Sequence, residues 1–297
     1  MKSLLYLAMV LALCAGISSC KHKKTNLVGG ADSGKIAIHN NGVNIAYTDT
    51  SNISDTTLFF VHGWAINRSY WAKQLTYFGK RYHIVSIDLP GFGQSGKNRK
   101  DWSTRAFASD VDSVIAALKL KRVILIGHSM SGDIVLQAAI DNPDKVIGLV
   151  GVDNFNSPGA PQTEQDKKAY AAAVLQLKQH FKRTAIAWFN QQLFSKTTPA
   201  DIRERVLKDV AKADSVIGVA SLEGGNGFNE IAKLKEAKKK LYLINSDVHP
   251  VDSTYLIANK IPFKIFYVPG SGHFPMIEHP QVFNMSLDNV ILDINKK

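Results

Sequence analysis

The stretch Arg122-Val123-Ile124-Leu125-Ile126-Gly127-His128-Ser129-Met130-Ser131-Gly132-Asp133-Ile134-Val135-Leu136-Gln137-Ala138-Ala139 constrains this chain more than any other. The aliphatic run Val123–Ile126 reads as a buried strand. A helical pattern with Ile134, Val135, Ala138 and Ala139 on one side begins just after Ser129. Ser129 therefore falls on a sharp strand-to-helix turn. Strand and helix approach closely there only if the neighbours are small, and Gly127, Ser131 and Gly132 meet that need. The turn pushes the serine hydroxyl out of the sheet, above a helix amino terminus. The N–H of Met130 then points to where an oxyanion would form if Ser129 attacked a carbonyl.

The rest of the chain alternates in the same manner. Thr57–Val61 reads as a buried strand that ends in His62-Gly63-Trp64-Ala65. His83–Ile87 is another, followed by the tight loop Asp88-Leu89-Pro90-Gly91-Phe92-Gly93-Gln94-Ser95. That loop is no phosphate cradle, because the G-x-G-x-x-G register fails and no Lys-Ser or Lys-Thr follows. Val146–Val152 ends in Asp153-Asn154-Phe155, Leu241–Ile244 runs into Asn245-Ser246-Asp247, and Phe263–Val268 runs into Pro269-Gly270-Ser271-Gly272-His273-Phe274. Helices are expected over Ser69–Phe78, Ser103–Leu118, Ser253–Asn259 and Pro280–Ile294. Lys35–His39 and Val43–Tyr47 around Asn40-Asn41-Gly42 predict a hairpin, the antiparallel start of the sheet. The pattern predicts an α/β fold whose mostly parallel sheet is covered by helices on both faces. Between Ser157 and Ala232 the alternation stops. Gln162–Phe181, Thr184–Leu193, Pro199–Lys212 and Asp214–Leu222 read as successive helices, with Trp188, Phe189, Phe194 and Phe228 as candidates to face a pocket.

Four segments together resemble the α/β-hydrolase superfamily: G-x-S-x-G at Gly127–Ser131 with Ser131 in place of the last glycine, His62-Gly63 after a strand, D-x-P-G-x-G-x-S at Asp88–Ser95, and G-x-G-H-F at Gly270–Phe274. The resemblance runs from about Lys35 to the end. It implies Ser129 as nucleophile, His273 as general base, and the N–H groups of Trp64 and Met130 as the oxyanion hole. It also implies an all-helical cap at 157–232, inserted after the sixth strand, with the core formed by 35–156 and 233–297. The acid stays open. Family members carry it after the sixth strand, which favours Asp153, or after the seventh, which favours Asp247. The usual seventh-strand form would put His249 in the acid's slot, and Asp252 is a weaker candidate. His62 has no partners at metal-ligand spacing and is read as structural, so neither a metal nor a cofactor is expected. The expected activity is that of a serine hydrolase acting on a small ester, lactone or related acyl compound. A slow-turnover, receptor-like ligand binder and a cofactor-free perhydrolase or haloperoxidase-type enzyme remain as alternatives. Dehalogenase and epoxide hydrolase branches use an Asp where this chain has Ser129.

Composition enters at the amino terminus. Lys2, the apolar run Leu4–Ile17 and Ile17-Ser18-Ser19-Cys20 read as a signal peptide over 1–19, too short for a comfortable membrane span. The ending resembles the bacterial lipoprotein box, which implies a lipid on Cys20, a tether over 20–34 and an exported, membrane-attached protein of the cell envelope. Cys14, the only other cysteine, lies in the segment to be removed, so no disulfide is expected. The formal charge of +11 is spread along the chain and no nucleic-acid motif accompanies it. Nucleic acid is therefore not an expected partner, while Lys21-His22-Lys23-Lys24 suits anionic head groups beside the anchor. Nothing in the sequence speaks to oligomeric state.

Overall fold

The computed structural model describes residues 37–50 and 54–296. The expected leader, Cys20 and the tether lie outside the described residues. Residues from Lys35 onward form one compact unit. Among the described residues no helix is long and apolar enough to cross a membrane.

Seven strands make the main sheet: β3 (Tyr47–Asp49), β4 (Thr56–Val61), β5 (His83–Ile87), β6 (Arg122–His128), β7 (Val146–Val152), β8 (Leu241–Ser246) and β9 (Phe263–Val268). Their order across the sheet is β3-β5-β4-β6-β7-β8-β9. Only β3 runs antiparallel to its neighbour. The predicted hairpin does form, as β1 (His39–Asn40) and β2 (Val43–Asn44), with positive φ at both Asn41 and Gly42 as the tight turn demands. It is a separate two-stranded ladder, however, and does not start the main sheet. The chain leaves it at Ile45 and only the short β3 reaches β5. Val146–Val152, counted sixth from the sequence, is therefore the seventh strand here.

Strands β4, β6, β7 and β8 are apolar almost throughout because helices cover both faces of a parallel sheet. Leu58–Val61, Val123–Ile126, Leu149, Val150 and Leu241–Ile244 are all buried. Each such side chain contributes about 1.5–3 kcal/mol when fully buried. α3 (Ser131–Asp141) packs against α2 (Thr104–Ala117) in one layer. α1 (Ala72–Phe78) and α10 (Pro280–Asn295) pack together in another. Ser103 caps α2 by accepting the N–H of Ala106 at 3.2 Å. The expected helix from Ser69 begins as a tight 3₁₀ turn, Arg68–Trp71, and α8 (Thr254–Ala258) fills the place expected after β8.

Between β7 and β8 the chain is helical: α4 (Glu164–Gln192), α5 (Ala200–Val210), α6 (Ser215–Gly225) and α7 (Glu230–Ala237). No strand interrupts this stretch among the described residues. α4 starts on a capping box between Thr163 and Asp166 and breaks at His180, whose φ of −142° and ψ of 48° are not helical. The two helices expected here, Gln162–Phe181 and Thr184–Leu193, do meet at a kink, but it falls at His180 rather than after Phe181. α7 packs on α3, so the expected boundary at Ala232 falls inside a helix that lies against the core. A short helix not anticipated from the pattern, α9 (Pro275–Glu278), follows the loop after the last strand.

Candidate active site

Parallel strands deliver their carboxyl ends to one edge, where an open sheet of this kind holds ligands. Four of the eight non-glycine residues with positive φ among the described residues stand there: Ala65, Ser129, Asp153 and Phe155. Strain of this sort persists only where the surroundings fix it. Ser129 has φ of 53° and donates its N–H to Val152 O at 2.9 Å, which ties the turn after β6 to β7. A Cβ at Gly127 would overlap the main chain of Ser131, so strand and helix meet as closely there as the sequence implied. Ser131 occupies the position of the missing glycine without conflict. Its hydroxyl turns inward and donates to His62 O at 2.5 Å. The true close approach moves one residue on, since a Cβ at Gly132 would lie 2.5 Å from Asn154 Nδ2.

The loop after β4 lies directly against this turn. A Cβ at Gly63 would come within 2.6 Å of His128 Nδ1 and 3.1 Å of Ser129 Cβ. Neither the Trp64 N–H nor the Met130 N–H donates a main-chain hydrogen bond among the described residues. His62 is neutral and structural: burial pushes its pKa down, outweighing the nearby Asp88 carboxylate. Its Nδ1–H donates to Gly63 O at 2.7 Å, and Nε2 accepts the Leu89 N–H at 2.9 Å.

His273 sits on the loop after β9. Its Nδ1–H donates to Asp153 Oδ2 at 2.5 Å. A carboxylate only accepts, so this contact leaves the lone pair on Nε2. Asp153 Oδ1 accepts the Ser246 N–H at 2.7 Å. Burial pushes the Asp153 carboxyl up, but the hydrogen bond and charge of His273, with the Ser246 bond, outweigh it and hold the group below its usual range. Among the described residues Asp247, the other expected acid, makes no hydrogen bond to His273. It accepts the Gly270 N–H at 2.9 Å and so supports the same loop from the outside. His249 Nε2 reaches Gln192 O at 3.2 Å, and Asp252 accepts the Thr254 N–H at 3.0 Å.

Two residues that the sequence reading passed over complete the frame. His128, just before Ser129, donates from Nε2 to His273 O at 2.7 Å, and the two rings lie 4.8 Å apart. Burial first, then the proximity of His273, push its pKa down to about 3, so His128 is an uncharged brace. Asn154 donates from Nδ2 to Gly127 O at 2.9 Å and to Ser129 O at 3.1 Å, which clamps the turn from the β7 side. A His before the serine was visible in the sequence, but nothing there showed where its ring would point.

Inserted helices cover the edge. Trp64 Nε1 donates to Gly218 O on α6 at 2.8 Å, and the indole packs against Phe181, Trp188 and Phe189 with ring centroids 5.6–5.9 Å away. Phe194 packs instead on Phe274, next to His273. Phe228 packs against the hydrophobic core and makes none of these ring contacts.

Residues 56–280 match the family model described as alpha/beta hydrolase fold. The chain belongs to that family. It is 25% identical over 252 residues to the pimeloyl-(acyl-carrier protein) methyl ester esterase of Yersinia enterocolitica, covering 80% of this chain and 94% of that one. A thermophilic esterase from Thermogutta terrifontis superposes with a TM-score of 0.73 at 19% identity, over 85% of this chain and 94% of the other. Est816, described as an N-acyl homoserine lactone degrading enzyme, gives 0.73 at 22% over 85% and 99%. At such identities the two structures speak for the fold. The family match and the esterase relative make this chain a hydrolase.

Proposed function

We propose that the chain hydrolyses a small ester or lactone through an acyl-enzyme on Ser129. The observation that carries this reading is the 2.5 Å bond from His273 Nδ1 to the buried Asp153, which leaves Nε2 as a base on the edge where Ser129 stands. In the first half-reaction His273 Nε2 takes the Ser129 proton while Oγ attacks the carbonyl carbon. The oxygen that gains charge is met by the Trp64 and Met130 N–H groups. The tetrahedral adduct then expels the alcohol, which receives the proton from His273. In the second half, water attacks the acyl carbon, His273 takes its proton and returns it to Ser129, and the acid leaves. Asp153 keeps the imidazole in the needed tautomer and stabilises it when charged. The cluster of Trp64, Trp188 and Phe189 makes the surroundings of this edge apolar, which favours an uncharged acyl or alcohol part.

A panel of p-nitrophenyl esters of increasing chain length, with lactones alongside, tests this on the wild type and Ser129→Ala. Wild type should turn over at least one, and a fluorophosphonate should add once, at Ser129, by mass spectrometry. Loss of the nucleophile is expected to cost several orders of magnitude, on the order of 10⁴-fold or more. An alanine variant that keeps more than about a tenth of the activity would sink the serine mechanism.

A further inference from the structure

The loop that carries His273 is held on two sides, and the two holds are joined. On one side stands Glu278 at the end of α9, buried. Its Oε2 accepts the Gly272 N–H at 2.9 Å and its Oε1 accepts the Phe274 N–H at 3.1 Å. On the other side lies the connection between α4 and α5. Leu193 O accepts the His273 N–H at 2.8 Å, and the Ser195 and Thr197 hydroxyls donate to Gly270 O at 2.9 and 2.5 Å. Three consecutive N–H groups centred on His273 are thus taken alternately by Glu278 and by the inserted segment. Thr198 closes the circuit, since its hydroxyl donates to Glu278 Oε2 at 2.6 Å while accepting the Ser195 N–H at 2.9 Å. The fit is tight: a Cβ at Gly272 would lie 2.7 Å from Leu193 O and 2.8 Å from Ser195 N.

We propose that Glu278 is a positioning residue for His273, and that its bond to Thr198 makes the imidazole's placement depend on the inserted helices being seated. This rests on the reading of His273 as the base. A carboxylate suits the place because every group that meets it is a donor, and it accepts all three. Glutamine must turn an NH₂ toward a donor on one side or the other, so one hold is lost whichever way it flips. Thr198 reports on the link alone, because valine keeps its shape and removes the hydroxyl. Misplacement of a reacting group by about 1 Å costs on the order of 100-fold in rate, and the effect falls on the chemical step rather than on substrate binding.

The test compares wild type, Glu278→Gln, Thr198→Val and Thr198→Ser by kcat and KM on the best ester of the panel, by the rate of fluorophosphonate labelling, and by thermal midpoint. Glu278→Gln should lower kcat about 10- to 100-fold with KM changed less than about threefold. Thr198→Val should lower kcat by a smaller factor of about 3 to 10. Labelling should slow in proportion, and Thr198→Ser should restore both. If Glu278→Gln does not fold, the Thr198 pair decides alone. Thr198→Val with wild-type kcat and labelling rate overturns the proposal, as does a loss confined to KM or one that serine fails to rescue. A wild type that neither turns over an ester nor labels at Ser129 fails earlier, at the serine mechanism itself, and so is distinguishable.

Discussion

Asp153 shows how a single residue is made into a partner for an imidazole. It sits at the end of β7 with φ of 48°, a left-handed backbone that swings its side chain across the sheet edge toward the β9 loop. Asp247, one strand over, keeps to the outside and holds Gly270 N–H. Sequence alone left both acids open because each follows a strand of the same sheet edge. What separates them is the direction of one side chain, set by a backbone angle that no residue type announces. Asp153→Asn should therefore keep the shape and lose kcat by about 10³- to 10⁴-fold, since asparagine presents the wrong group to His273. Asp247→Asn keeps an acceptor for Gly270 N–H and should stay within about twofold of wild type. Kinetics of both at neutral pH check this, and the reverse ranking would reject the assignment. The carboxyl's position below its usual range also fixes a sign. Its stabilising effect is whole above the ordinary value of 3.8 and is lost as pH falls through the lower folded value.

At the scale of elements, the turn between β6 and α3 is built by its neighbours as much as by its own residues. Gly127, Ser129 and Gly132 were legible because strand, turn and helix announce themselves within eighteen residues. The long-range clamps were not, since Asn154 and Glu278 act on segments far from them or through main-chain groups that any residue supplies. The hairpin shows the other limit: its turn chemistry was readable, whereas its separation from the main sheet depends on where the chain turns at Ile45. Ser131 offers a direct check. Restoring the family's usual residue with Ser131→Gly would leave His62 O, buried beneath the turn, without its donor. Stability should fall by about 1 kcal/mol or more rather than rise. Asn154→Ala removes two bonds from the turn and should cost about 1–3 kcal/mol, with kcat reduced as well. Denaturant unfolding of both variants measures these changes; a stabilised Ser131→Gly would show that the inward hydroxyl is only a tolerated departure.

For the whole molecule, the expected lipid on Cys20 would make location a matter of chemistry outside the described residues. We propose that Cys20→Ala releases an active protein from the membrane fraction, because two acyl chains anchor far better than one or none; a variant that stays bound after a salt wash contradicts this. Inside the folded unit the inserted helices return to the core through α7, whose first residue, Glu230, faces Asp133 in the first turn of α3. Both carboxyls are only partly exposed. Burial, then the charge of Glu230, push Asp133 up to about 8. Burial pushes Glu230 up to about 7, against the opposing hydrogen bond from the Gly159 main chain. The folded protein therefore binds protons here that the unfolded chain has released, so stability falls as pH rises. The loss begins above the ordinary values of 3.8 and 4.5, continues through about 7 and 8, and levels off beyond. Asp133→Asn cannot ionise and removes the like charge from Glu230. Its Tm relative to wild type should climb steadily between pH 5 and pH 9, reaching its largest value at the alkaline end. Parallel curves for the two proteins across that range would mean that the carboxyls are solvated enough to ionise without cost, and that α7 meets α3 with no electrostatic strain.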